Sequence, residues 1–314
     1  MILTITPNTG LDRVIFVQAF AWGKTIRADD AAWGMGGKAT DASLVLGELG
    51  EPNLATGFAA GETGARMVRM LMQHPATRCD FVWVEGETRT NYILVERSQR
   101  TQTTITVAGL HVRPEHVAEL EQRVADALSR ARCVVVGGSL PVGVPPELYP
   151  RLIARAKAHG VPVILDASGD ALRAGVAALP TVVKPNRDEL ESLAGRALMT
   201  EQEIVAAART LVAQGIALVV ATDGPRGLWA VTADETLHAP VLAIEAVNTA
   251  GAGDALVAGL AMGLARGWPW REGLRWGIAA AGAVCLTPGT AVCRKDDVYR
   301  LLGQVAITPW RSTS

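Results

Sequence analysis

From about residue 130 onward the sequence alternates short apolar runs with longer stretches of helical spacing, the pattern of a parallel sheet covered by helices on both faces. Cys133–Val136, Val163–Leu165, Thr181–Val183 and Ala217–Ala221 are the predicted strands, with helices expected over 146–159, 187–195 and 201–214. Each run ends in polar or glycine-rich text: Gly137-Gly138-Ser139, Asp166-Ala167-Ser168-Gly169, Lys184-Pro185-Asn186 and Thr222-Asp223-Gly224. Ligands of open α/β sheets bind outside the carboxyl ends of the strands, so these four segments are expected to share one edge.

A different pattern fills Phe81–Val107. Thr88–Glu96 and Thr101–Val107 are rich in Thr, Val, Ile and Tyr and are joined by a polar tetrapeptide, Arg97–Arg100, which predicts a β-hairpin. The non-helical stretch Arg13–Trp33 is expected to pair with it as a small separate sheet. Thr40–Leu49 and Gly64–Gln73 have helical spacing and belong with the main body, while Thr308–Ser314 reads as a loose tail.

Charge excludes some functions. Across 314 residues, 30 Lys+Arg face 31 Asp+Glu, a net charge of −1, which supplies no excess of cations for a nucleic-acid backbone. Cys79, Cys133, Cys285 and Cys293 contain no C-x-x-C pair, so neither a zinc site nor a disulfide framework is expected, and a reducing cytoplasm fits best. No secretory signal is expected, since Met1–Thr6 is too short an apolar stretch and Asp12 and Arg13 follow quickly. Ala255–Ala265 is a long apolar stretch, but it has about half of the ~20 residues of a membrane span and reads as a buried helix.

Three segments carry candidate chemistry. In Asn248-Thr249-Ala250-Gly251-Ala252-Gly253-Asp254, glycines at a helix start leave backbone N–H groups bare for a developing phosphoryl charge. Asp254 would face the same hole as a proton acceptor; a glycine turn with an aspartate in the first helical turn explains the same letters. Gly34-Met35-Gly36-Gly37-Lys38-Ala39-Thr40-Asp41 matches G-x-G-x-x-A, but no buried strand precedes it as a dinucleotide fold requires. Ala32 and Ala39 also break a Walker P-loop. In Lys184-Pro185-Asn186-Arg187-Asp188-Glu189, Asn186 and Glu189 lie on one helical face, suited to ordering Mg²⁺ near phosphates and equally to a capping box, which the local letters favour.

Together these segments resemble the PfkB (ribokinase-like) sugar kinases, most closely the phosphofructokinase and tagatose-6-phosphate kinase branch. The first signature appears as Gly36-Gly37-Lys38 with the helix to Gly50, and the second as Asn248–Asp254. The branch is carried by Thr6-Pro7-Asn8 with Leu11-Asp12, Gly86-Glu87-Thr88-Arg89-Thr90-Asn91, Gly138-Ser139-Leu140-Pro141, Lys184-Pro185-Asn186 with Glu189-Leu190, and Gly289-Thr290.

The resemblance implies a three-layer α/β/α fold with a mostly parallel central sheet, a single domain over 1–314, and a β lid formed by about 11–33 and 79–108. It implies ATP- and Mg²⁺-dependent phosphorylation of a primary hydroxyl, with Asp254 as base and Gly251, Ala252 and Gly253 as anion hole. Asp12, Gly37, Asp41 and Ser139 fall at sugar-site positions, Lys184, Asn186, Thr222, Gly224 and Gly227 at the ATP site, and Asn186 and Glu189 at the Mg²⁺ motif. Arg27, Lys38 and Arg89 occupy positions that gather around a substrate phosphate, which favours a ketohexose phosphate such as fructose 1- or 6-phosphate or tagatose 6-phosphate. A cytoplasmic homodimer through the lid, and a monovalent cation such as K⁺ near the Asn248 loop, follow by the same analogy.

Two letters depart from the signature G-G-K-G-x-N: Ala39 stands for the third glycine and Asp41 for the asparagine. A carboxylate in place of an amide removes two donors and adds a charge. A kinase for a neutral sugar or nucleoside is therefore the second reading, and a non-catalytic sugar or nucleotide sensor on the same fold the third. An NAD-binding oxidoreductase lacks both the strand and the ribose carboxylate in context.

Overall fold

The computed structural model describes residues 1–311. In chain order the first half comprises β1 (Ile2–Thr6), β2 (Gly10–Val17), β3 (Asp30–Gly36), α1 (Lys38–Glu48), β4 (Asn53–Ala59), α2 (Gly61–Leu71), β5 (Thr77–Cys79), β6 (Val82–Trp83), β7 (Arg89–Glu96), β8 (Thr101–Ile105) and α3 (Pro114–Leu128). Then follow β9 (Cys133–Gly138), α4 (Leu148–Ala158), β10 (Val163–Ala167), α5 (Gly169–Ala177), β11 (Val182–Val183), α6 (Arg187–Ala194), α7 (Glu201–Ala213) and β12 (Leu218–Thr222). The chain ends with β13 (Leu228–Val231), β14 (Thr236–Ala239), α8 (Ala252–Arg266), α9 (Trp270–Cys285), α10 (Lys295–Leu302) and β15 (Thr308–Pro309).

The large sheet runs in the order β15-β14-β13-β12-β11-β10-β9-β1-β4-β5, with β6 also on β4. From β5 to β12 every pairing is parallel, and β13, β14 and β15 add on antiparallel. Strands buried on both faces need apolar residues at successive positions, which the runs at β1 and β9 provide. Leu3, Ile5, Val134 and Val136 pack under α3 to α7. Ile2, Cys133 and Val135 face α1, α2, α8, α9 and α10. Because the strands are parallel, Thr6, Gly138, Ala167, Val183 and Thr222 all end at the same edge. No helix among the described residues is long and apolar enough to cross a membrane.

A second sheet, β3-β2-β7-β8, stands at that edge. β2 runs parallel to β7 and antiparallel to β3, and β7 and β8 form the predicted hairpin. The expected boundary of the second lid segment, residue 79, is too early. β5 and β6 pair with β4 of the large sheet, because Phe81 and Val82 are buried in the main cores. Ala31–Trp33 lies in a strand, but one of the small sheet rather than the start of a βαβ unit. The tail is also tied down: β15 pairs with β14 and Trp310 Nε1 donates to Glu201 Oε2 at 3.2 Å, while positions 312–314 lie outside the described residues.

Helices α8 and α9 touch through glycines. A Cβ on Gly259 would lie 2.1 Å from Gly277 N, and one on Gly277 would lie 2.5 Å from Leu256 O. Because α8 carries the Gly251–Asp254 turn at its start, this seam fixes where the turn sits. Gly259→Ala should lower stability by about 3 kcal/mol, the upper end of overpacking costs, read as a lower urea midpoint at unchanged slope.

Candidate active site

Gly251 caps α8 in the left-handed region, φ 84°, and a Cβ there would lie 2.4 Å from Ala291 N, so only glycine fits. The first-turn amides of a helix have no intrahelical acceptor. Here Ala252 N reaches Thr249 O at 3.3 Å, and Ala255 N makes the bond to Gly251 O at 2.9 Å. The intervening Gly253 and Asp254 amides are left at the positive end of the helix. Asn248 holds the loop from below, donating from Nδ2 to Pro288 O at 3.1 Å and accepting from Ala250 N at 3.0 Å. The small sheet reaches the same loop: Gln102 Oε1 accepts from Thr249 N at 3.3 Å and from its hydroxyl at 3.2 Å.

Beneath the turn lies a network of opposite charges. Asp166, buried at the end of β10, accepts from Lys38 Nζ at 2.7 Å and pairs with Lys184 Nζ at 3.1 Å. Lys38 also donates to Glu189 at 2.7 Å. A Cβ on Gly253 would sit 3.4 Å from Lys184 Nζ, so this ammonium lies against the glycine turn. Burial works against a charged Lys38, but the Asp166, Glu189 and Asp254 carboxylates outweigh it and hold the ammonium protonated.

Asp254 is half-buried in the first turn of α8. Burial and the Asp166 carboxylate push its carboxyl up to about 7, against the pull of Lys38, Lys184 and a hydrogen bond from Asp41. Asp41, in the first turn of α1, is 4% exposed. Its carboxyl is raised well above the usual range by burial and by Asp254 and Asp12.

Asp12 Oδ1 accepts from Asn91 Nδ2 at 2.9 Å, and a Cβ on Gly36 would fall 2.7 Å from the same oxygen, so the signature glycine makes room for the carboxylate. Burial raises Asp12 as well. Arg89 faces Asp12 and Asp41 and donates to Asn8 O at 3.2 Å, and Asn8 Nδ2 donates to Ser139 Oγ at 2.9 Å.

On the other side of the network, a cleft of about 510 Å³ is lined by Asn186, Arg187, Asp188, Glu191, Thr222, Asp223 and Gly224. A β-bridge between Asn186 and Thr222 joins its walls. A separate cleft of about 620 Å³ between α2 and the small sheet, lined by Leu11, Trp33 and Arg66 among others, contains none of the sequence-predicted site residues.

Most of the residues picked from the sequence meet here, with three changes of role. Lys38 is held by the Asp166 and Glu189 carboxylates, at 2.7 Å each, because two anions compete for one ammonium at that point. Arg27 is exposed on the 18–29 connection with no polar partner among the described residues, so Arg27, Lys38 and Arg89 do not converge. Gly227 lines neither cleft: its φ is 85°, and a Cβ would meet Ala239 O at 2.1 Å, which makes it a packing residue. Gly37 starts α1 at φ 102°, with Thr6 Cγ2 at 2.8 Å from its would-be Cβ.

Asn186 and Glu189 form a full capping box, N–H to carboxylate at 2.9 Å and N–H to amide oxygen at 2.8 Å. Among the described residues no three metal-ligating side chains gather. Mg²⁺ commonly keeps several waters and binds through one or two carboxylates plus phosphates, a role open to Glu189 in this donor set. Asp166, Asn91 and Asn8 are central to the site; the sequence puts Asp166 at the shared edge and Asn8 and Asn91 in the branch motifs, but assigns none of them a role. Asp166 directly follows the predicted strand Val163–Leu165, and that position is its signal.

The family model for pfkB family carbohydrate kinases matches residues 9–297. A 1-phosphofructokinase of Haloferax volcanii is 34% identical over 99% of this chain and 100% of its own length. An ATP-dependent 6-phosphofructokinase isozyme 2 of Mycobacterium tuberculosis is 32% identical over 95% and 88%. Phosphofructokinase-2 of Escherichia coli, solved with substrates and products, superposes with a TM-score of 0.88 at 28% identity over 96% of this chain and 98% of that one; the same enzyme has been solved with potassium.

Removing Asp166 strands the buried Lys184 ammonium. Asp166→Ala should cost about 3–5 kcal/mol, as for one partner of a buried ion pair, measured by urea denaturation at neutral pH.

Proposed function

This chain belongs to the pfkB family of carbohydrate kinases and is a phosphotransferase with an alcohol group as acceptor, and we propose that its substrate is a ketohexose phosphate phosphorylated on a primary hydroxyl at the expense of ATP. The observation that carries this reading is Asp254. It sits at the start of α8 between a sugar-side group (Asp12, Asp41, Arg89, Asn91) and the lysines that lead to the Asn186–Gly224 cleft.

In this reading Asp12 and Asn91 bind sugar hydroxyls, and Arg89 pairs with the phosphate the substrate already carries. Asp254 accepts the proton of the attacking hydroxyl. That oxygen bonds to the γ-phosphorus while the bond to the β,γ-bridging oxygen breaks and ADP departs. The Gly251–Gly253 turn, Lys38 and Lys184 face the negative charge that accumulates. Mg²⁺ on the nucleotide would neutralise the β- and γ-phosphates, with Asn186 and Glu189 as the chain's contribution to holding it. The small sheet covers the sugar and excludes water. With Arg27 and Lys38 turned elsewhere, Arg89 is left alone on the sugar side, and this favours a neutral ketose as the second reading.

Asp254→Asn should lower kcat by about 10²–10⁴ and leave nucleotide affinity by calorimetry near wild type; near wild-type turnover would refute the assignment. The base works ionised, so kcat/KM should fall below about pH 7 as Asp254 takes up a proton. Running fructose 1-phosphate, fructose 6-phosphate, tagatose 6-phosphate and their parent sugars in the same assay separates the two substrate readings.

The small sheet also supports a homodimer. Phe20, Trp22, Tyr92, Ile105 and Val107 are exposed on it and its connections, and β3 and β8 are open edges, both of which invite pairing with a second copy. Sedimentation should show a concentration-dependent dimer that Trp22→Glu together with Ile105→Glu weakens; a monomer at all concentrations would exclude it.

A further inference from the structure

Asp41 is the residue at which the chain departs from the asparagine of the signature it otherwise follows, and its surroundings say what the acid does there. Its side chain is in hydrogen-bond contact with Asp254, and its Oδ1 is buried with no hydrogen-bond partner. Two carboxylates in contact inside a protein cannot both ionise, so the pair keeps one proton.

The groups around the pair decide which member holds it. Asp254 faces two cations, Lys38 of α1 and Lys184 beyond β11, against the Asp166 carboxylate of β10. Asp41 faces two carboxylates, Asp254 of α8 and Asp12 of β2, against the single cation Arg89 of β7. Arg89 in turn is engaged with the carbonyls of Asn8 and Val107. Negative charge is therefore better accommodated on Asp254, and the proton on Asp41.

We propose that Asp41 is a positioning residue that works as a neutral carboxylic acid: it carries the proton the two groups share and donates it in a hydrogen bond to Asp254, holding the base ionised and aimed at the substrate hydroxyl. The proposal deepens the kinase reading and rests on it. An asparagine amide supplies such a donor at every pH, whereas a carboxylic acid does so only while protonated. Ionising Asp41 removes the donor and sets a second negative charge beside the base. The chain therefore carries an alkaline limit on its activity that the amide would not impose.

The test is the pH dependence of kcat/KM for wild type and Asp41→Asn. Wild type should decline on the alkaline side by about tenfold per pH unit, as for loss of one proton, and Asp41→Asn should stay level over the same range. An identical alkaline decline in both, or none in wild type, overturns the proposal. Infrared titration of the unliganded protein reads the same proton without turnover and without the Asp41 variant. Wild type should show a protonated-carboxyl stretch at neutral pH that titrates away in alkali, and in Asp254→Asn that transition should move to lower pH. A transition unmoved in Asp254→Asn, or no protonated carboxyl at neutral pH, overturns it equally. An active Asp254→Asn enzyme would instead sink the base assignment while leaving the infrared result to judge the proton.

Discussion

The site depends on one buried carboxylate. Asp166 holds Lys38 from the first turn of α1 and Lys184 from the segment after β11, so helix, strand end and glycine turn converge on a single anion. Buried charges are tolerated only when paired and hydrogen-bonded, and Glu189 completes the set by taking a second bond from Lys38. Without Asp166, Lys184 would lose its partner at 3.1 Å and Lys38 would keep only its bond to Glu189. With it they stay paired, and Lys184 Nζ lies against the Gly253 position of the turn.

The sugar-side half obeys a different constraint, which is space. Gly36 has no side chain because Asp12 Oδ1 occupies that volume, and Gly34 lets β3 pass against Thr290, whose backbone N would lie 2.2 Å from a Cβ. The glycines on this side therefore serve packing, Gly36 within the small sheet and Gly34 between it and the main body, while Gly251 and Gly253 on the other side leave room for Ala291 and Lys184 against the α8 turn. Similar letters answer two unrelated physical needs.

How much of this was legible in the sequence follows from range. The buried strands at Cys133, Val163, Thr181 and Ala217 and the shared edge were readable because periodicity is local. The Asn186–Glu189 capping box was readable for the same reason. The partner of Lys38 was not, because Asp166 is 128 residues away and nothing near Lys38 distinguishes a lysine aimed at a substrate phosphate from one held by two carboxylates. The boundary near residue 79 failed because a β-rich segment does not state which sheet it joins; burial of Phe81 and Val82 decided it. Asp41 was noticed as an odd letter, but its meaning needed Asp254, 213 residues later, beside it.

The two sheets divide the titrating groups between them. Asp12 and Arg89 ride on the small sheet, whereas Asp41 and Asp254 are anchored in α1 and α8 of the main body. The strands that carry the first pair join the large sheet through short connections, residues 7–9 and 84–88. Any swing of one body against the other changes the spacing between those charges. Mechanical posture and acidity thus become a single variable in this molecule: when the cover moves, the hold on the proton at Asp41 moves with it.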